Sequence, residues 1–148
     1  MENFAERLHH LFMDVMRFSG LLQPDSSIAG HPMSLSQAFA LHELDTDTPI
    51  SQGELAQRLR LEKSSVSRMA AEMERSGLLE RERDPDNRRL YRLRLTERGR
   101  AMHAGMAHSA HDHFERWVEA MTGEERDALL TGLTAFARVI RQTPTTRG

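Results

Sequence analysis

Ser64, Ser65, Ser67 and Arg68 place three hydroxyls and a guanidinium within five residues, and Arg88 and Arg89 stand side by side further along. Nothing in this set is arranged for covalent chemistry. Hydroxyls and free backbone N–H groups near a helix start donate to phosphate oxygens or base edges. An arginine of that reach pairs with guanine O6 and N7. Arginines in a turn suit the deeper negative potential of a minor groove narrowed by A·T sequence. The chemistry indicated is non-covalent recognition of duplex DNA.

The segment that must position these side chains runs from Ser51 to Thr96. Ser51 with Glu54 predicts a capping box opening a short helix that turns Leu55 and Leu59 inward. A tight turn leads to a second helix from near Lys63 to Ser76, with Gly77 as its left-handed stop. At about 100° per residue, Val66, Met69, Ala70 and Met73 share one face, and Ser64, Arg68, Ala71 and Arg75 lie opposite. Ser64 also suits simple N-terminal capping. Arg75 suits either a phosphate contact or a last-turn cation that complements the helix dipole. Leu78–Arg83 and Leu90–Leu95 then read as strands around DPDNRR, whose Asp-Pro and Asp-Asn pairs are turn chemistry. On the second strand Tyr91, Leu93 and Leu95 share a face. An Asp84–Arg88 ion pair across the turn is expected to hold its shape and aim Arg88 and Arg89 outward.

Four further helices surround this segment. The first is expected from near Glu2 to Leu22, followed by a loop over Gln23 to Met33 that contains two prolines. Ser34 with Gln37 predicts a capping box for a helix over Leu35 to Leu44, and DTDTP reads as a turn. Thr96 caps a long helix reaching about Met121. Thr122 with Glu125 opens a last helix ending near Gln142, before a frayed tail.

The chain has 148 residues, 39 % hydrophobic and 28 % charged, enough for a soluble globular core. It contains no cysteine, which excludes disulfides, thiolate metal sites and thiol-based peroxide sensing. No apolar run is long enough for a membrane span, and the amphipathic N-terminus lacks the layout of a secretory signal, so a cytoplasmic location is expected. The net charge of −2 conceals a division: residues 51–100 hold 13 Lys+Arg against 9 Asp+Glu. A local basic surface binds phosphates on an acidic chain. Arginine outnumbers lysine 19 to one, a bias that GC-rich coding explains as well as DNA binding does. In the first helix Phe4, Leu8, Leu11, Val15, Phe18 and Leu22 form a packed seam, and the last helix carries Leu129, Leu133, Phe136 and Ile140. One winged domain offers little to cover these stripes, so a homodimer is expected.

The run ELAQRL…KSSVSRMAAEMERSGLLERERDPDNRRLYRLRLTERG resembles the winged helix-turn-helix of MarR-type (multiple-antibiotic-resistance regulator) transcription factors, from Ser51 to Gly99. Three parts lie in register: ELA-x-RL, an S-x-V-S-R helix start ending in GLL, and a D-P-x-x-R-R wing leading to LT-x-x-G. Asn87 stands where the family often has a second aspartate. The resemblance implies a mainly α fold with a small β-hairpin wing. It assigns residues 34–96 to a winged helix-turn-helix domain, and 1–33 with 97–148 to a helical dimerisation region. It implies a homodimer on a pseudo-palindromic operator, acting as a ligand-responsive repressor or less often an activator. Carried over residue by residue, the DNA contacts are Ser64, Ser65, Ser67, Arg68, Arg88 and Arg89, with Asp84 orienting Arg88. A small-molecule effector, often phenolic or anionic, is implied between the helical and winged lobes, and Met13, Met16, His42 and Met106 are its candidate contacts.

Other functions fit less well. His108, His111 and Asp112 lie within about one turn of a helix and, with His42 or His103, offer N/O ligands of the kind zinc takes, giving a zinc-responsive alternative. Eight histidines on amphipathic helices more simply decorate solvent, and no metal or cofactor is expected. A winged-helix module that binds protein instead of DNA is the other alternative, opposed by the outward arginines. A hydrolase lacks every motif it needs: no nucleophile elbow, no HExxH and no Gly-rich phosphate loop.

Overall fold

The computed structural model describes residues 1, 3–20 and 33–144. The elements run α1 (Phe4–Phe18), α2 (Leu35–Leu44), β1 (Ile50–Ser51), α3 (Gln52–Leu59), α4 (Lys63–Arg75), β2 (Leu79–Arg83), β3 (Tyr91–Leu95), α5 (Glu97–Glu119) and α6 (Gly123–Gln142). They form two compact units, Met1–Ala107 and His108–Gly148. The expected loop after the first helix and the end of the tail lie outside the described residues.

Local chemistry sets the helix limits. The Asn3 side chain accepts from the Glu6 N–H at 2.9 Å while the Glu6 carboxylate accepts from the Asn3 N–H at 3.0 Å, a capping box that starts α1. The helix stops at Phe18, short of Leu22, because Gly20 takes φ 84° just past the Ser19 cap. Ser34 and Ser51 each accept from the N–H three residues on, but neither box closes. The Gln37 side chain donates instead to Glu72 of α4, and Glu54 is taken by Arg58.

In the first unit, 15 hydrophobic residues form one buried cluster, centred on Leu41 of α2, Leu55 of α3, Val66 and Met73 of α4, Leu79 of β2 and Leu93 of β3. Burying a side chain of this size contributes about 1.5–3 kcal/mol relative to exposure. The inward set of α4 is the expected one: Val66, Met69, Ala70 and Met73 are buried. The sheet is antiparallel, in the order β1-β3-β2. The two-residue strand β1 is unexpected; it pairs Ile50 with Leu93 and Ser51 with Arg92, anchoring the wing at the start of α3.

Between α3 and α4 the chain turns through Arg60, at φ 54° and ψ 42°. A non-glycine residue tolerates this left-handed region at a cost of about 1–2 kcal/mol. The turn is held by Leu61 N–H donating to the Ala56 carbonyl at 3.0 Å. At the far end of α4, Gly77 at φ 76° lets the Leu78 N–H reach back to the Met73 carbonyl at 2.9 Å. Thr96 then accepts from the Gly99 N–H at 3.0 Å and donates to the Gly77 carbonyl at 2.6 Å, so one hydroxyl caps α5 and ties it to the end of α4.

In the second unit α6 starts with a complete capping box: Thr122 Oγ1 accepts from the Glu125 N–H at 3.1 Å and Glu125 Oε2 from the Thr122 N–H at 2.8 Å. None of the residues of α6 is buried, so its stability within the chain depends on such local contacts. Thr122→Ala is therefore expected to destabilise this unit by about 1 kcal/mol, read as faster amide exchange along the first turns of α6. Among the described residues no helix is long and apolar enough to cross a membrane.

Candidate nucleic-acid interface

The outward face of α4 begins with unprotected donors. Its N-cap residue, Glu62, makes no side-chain cap hydrogen bond. The first N–H groups of the helix therefore lack the usual capping acceptor, leaving them suited to a phosphate. Ser64, Arg68 and Arg75 are exposed, and Ser65 and Ser67 are half-buried on the flanks. Ser64 is a residue inside the helix and not its cap, so its hydroxyl is not committed to capping.

The wing is held differently from the sequence expectation. Among the described residues no ion pair joins Asp84 and Arg88. Asp84 Oδ1 instead accepts from the backbone N–H groups of Asp86 at 2.8 Å and Asn87 at 3.2 Å. A carboxylate held so close to its own chain reaches those amides with less ordering than a long guanidinium demands. Asn87 repeats the device by accepting from the Arg89 N–H at 3.2 Å. The Asp84 N–H donates to the Leu90 carbonyl at 2.9 Å and closes the loop. Arg88 contributes its carbonyl to this fold, accepting from Arg83 Nη1 at 2.8 Å, while Arg88 and Arg89 both stay exposed.

Charge sorts the cations of this region into two groups. Arg58 donates to Glu54 and Glu43, and those hydrogen bonds raise its guanidinium above the ordinary arginine value. Arg81 pairs with Glu74, Arg92 and Arg94 with Glu82, and Arg100 with Asp45. Lys63, Arg68, Arg75, Arg83, Arg88, Arg89 and Arg98 have no carboxylate within 4 Å among the described residues. The second group holds every arginine expected to meet DNA, plus Lys63, Arg98 on α5 and Arg83, which is engaged by the Arg88 carbonyl and the Tyr91 ring. The lysine opens α4 and shares with Arg89 and Gln57 a cleft of about 390 Å³ at the base of the wing. Lys63 is absent from the contacts expected from the sequence. The signal that could have found it is its place as the one lysine, at the first position of the second helix.

The remaining candidates lie on α1, α2 and α5. Met106 is buried in the core cluster, and on α1 Met13 is exposed and Met16 half-buried. His42 Nδ1 lies 3.2 Å from His103 Nε2, and His103 Nδ1 lies 2.6 Å from Asp45 Oδ2. On α5 His108 approaches Asp112 at 3.4 Å without His111. No group of three or more His, Asp or Glu side chains is placed to hold a metal ion among the described residues.

Two helices joined by a tight turn, followed by a hairpin whose tip and leading helix carry unneutralised cations, define a winged helix-turn-helix DNA-binding protein. Residues 33–91 match the sequence model of the MarR family, a family of transcriptional regulators and not of enzymes. It is 25 % identical over 130 residues to the uncharacterised HTH-type transcriptional regulator YfiV of Bacillus subtilis (strain 168), covering 88 % of this chain and 81 % of that one. FabT of Streptococcus pneumoniae, solved in complex with DNA, superposes with a TM-score of 0.82 at 18 % identity, over 93 % of this chain and 97 % of the other. The PcaV transcriptional regulator of Streptomyces coelicolor, solved with its natural ligand, gives 0.72 at 20 % identity, over 93 % and 96 %.

Proposed function

We propose that two copies of this chain bind a pseudo-palindromic operator as a ligand-responsive repressor. In each copy α4 enters a major groove, with Ser64, Ser65, Ser67 and Arg68 at base edges and phosphates, and Arg75 near the backbone. The wing lies along the adjacent minor groove with Arg88 and Arg89, its loop shaped by Asp84. The observation that carries this reading is the sorting of charge. Carboxylates pair with Arg58, Arg81, Arg92, Arg94 and Arg100 around the interface and leave every cation proposed to lie on it unpaired, at the electrostatic cost of keeping like charges together.

The homodimer is supported by unpartnered apolar faces. None of the residues of α1 is buried, and Phe4, Leu11, Val15 and Phe18 are exposed along it. On α6 the same holds for Leu129, Leu130, Leu133 and Ile140, and on α5 for Phe114 and Trp117. Apolar faces of this extent mark association surfaces in a soluble chain. A small-molecule effector, with Met13, Met16, His42 and Met106 as its contacts, completes the proposal. Its fold neighbour PcaV was solved with a natural ligand.

Selection of bound duplexes from a random pool, run on the native chain and on Arg68→Ala, tests the base-reading role. The native chain is expected to enrich a two-fold-symmetric site. Arg68→Ala is expected to lose about 1–3 kcal/mol on that site and to relax the preference at one position of each half. Equal enrichment by both proteins contradicts the assignment.

A further inference from the structure

We infer that Tyr91, clasped between Arg81 and Arg83, is a positioning residue that fixes the wing-tip arginines relative to the recognition helix. The inference deepens the DNA-binding reading and rests on it. Its basis is an unbroken series of contacts running from α4 to the tip. Glu74, in the last turns of α4, accepts from the Arg81 backbone N–H at 3.1 Å and from Arg81 Nε at 3.3 Å. The Arg81 guanidinium lies 5.0 Å from the centre of the Tyr91 ring, and that of Arg83 lies 4.3 Å from it. Arg83 Nη1 then donates to the carbonyl of Arg88 at 2.8 Å.

The sheet register explains why the series exists. Arg83 stands directly opposite Tyr91, and Arg81 opposite Leu93, so both arginines share a face with Tyr91. Nearer the core that face is closed by Leu79, Leu93 and Leu95, all buried. Beyond it the hairpin projects past the hydrophobic cluster, and that face offers no further leucine to stiffen it. The guanidinium groups take over by lying over the ring, a contact that arginine makes more readily than a lysine ammonium. Arg83 thereby serves two partners at once, ring and carbonyl. A hairpin held in this way presents Arg88 and Arg89 already ordered, and the ordering cost is removed from the binding step.

Two measurements on the 148-residue chain test the inference. The first is tryptic cleavage after Arg88 and Arg89 in the free chain, which reports wing order without DNA. Tyr91→Leu is expected to cleave about tenfold faster there than the native chain or Tyr91→Phe, with an unchanged urea midpoint. The second is affinity for a duplex that the native protein selects from a random pool. Tyr91→Leu and Arg83→Lys, which keeps the charge, are each expected to weaken binding about tenfold, and Tyr91→Phe to leave it unchanged. In an Arg88→Ala/Arg89→Ala background both substitutions should lose their effect, because a positioning residue has nothing left to position. Unchanged cleavage, or an undiminished effect in that background, overturns the inference and leaves the DNA reading standing. Faster cleavage with unchanged affinity also overturns it, and locates the failure in the DNA role of the wing.

Discussion

Changing Arg88 and Arg89 together to alanine is expected to weaken duplex binding roughly a hundredfold at moderate salt, on all sequences alike. A dimer loses four cations by this change. If each is worth about 0.7 kcal/mol at a phosphate or groove edge, the four together give the roughly 2.8 kcal/mol that a hundredfold requires. The salt dependence should flatten as well, since each lost phosphate contact removes about 0.9 from the slope of log affinity against log salt. The melting temperature should not move, because both side chains are exposed and neither joins the core. Arg58→Ala supplies the contrast. Arg58 is already engaged by Glu54 and Glu43, so its loss should leave the slope where it was. Equal flattening by the two variants would show that proximity to the interface, not lack of a carboxylate partner, decides which cations bind.

The second large effect is on stability. Gly99→Ala is expected to destabilise the first unit by about 3 kcal/mol or more, lowering the melting temperature on the order of 10 °C. A Cβ at Gly99 would run into the Leu78 carbonyl oxygen, and would sit 3.3 Å from Leu95 Cδ2. The obstacle is backbone, and it is backbone fixed at both ends. The same Leu78 carbonyl accepts from the Thr96 N–H at 3.0 Å, and the Leu78 N–H is bonded to Met73. Relief therefore requires α5 to lift away from the end of α4, breaking the Thr96 link to Gly77. At Gly105, further along α5, a methyl group would meet nothing within 4 Å. Gly105→Ala should be neutral or stabilise by up to about 1 kcal/mol through helix propensity. Thermal and urea melts of the two variants, compared with the native chain, decide the matter.

The helix-turn-helix was legible because its signals agree with one another. The buried face of α4 follows from periodicity, its end from Gly77, and the hairpin from Asp-Pro and Asp-Asn turn chemistry. Features that depend on competition between partners were not legible. Asp84 has an arginine at a plausible spacing, and takes its own backbone amides instead. Gln37 and Glu54 stand at capping-box positions, and go to Glu72 and Arg58. Sequence spacing shows which groups can meet; it does not rank them against a partner supplied by another element.

The remaining omissions have different causes. Strand β1 is two residues long, too short for any alternation to appear, and exists because β3 offers an edge beside it. The Tyr91 contact requires the hairpin register to be known: alternation puts Tyr91 on the face of Leu93 and Leu95, but what crosses to meet it is set by β2. The unpaired state of Lys63, Arg68, Arg75, Arg88 and Arg89 is likewise a property of the folded surface. Composition locates the excess of positive charge in residues 51–100, and only the fold divides those cations into neutralised and available ones.

Affinity for a selected duplex, measured across a series of salt concentrations, tests the central claim most directly. If the unpaired cations of α4 and the wing in two copies of the chain meet phosphates, log affinity falls linearly with log salt with a slope of about −5 or steeper. An affinity that barely changes across the series contradicts the account, because binding without counterion release would leave those cations with no part in it.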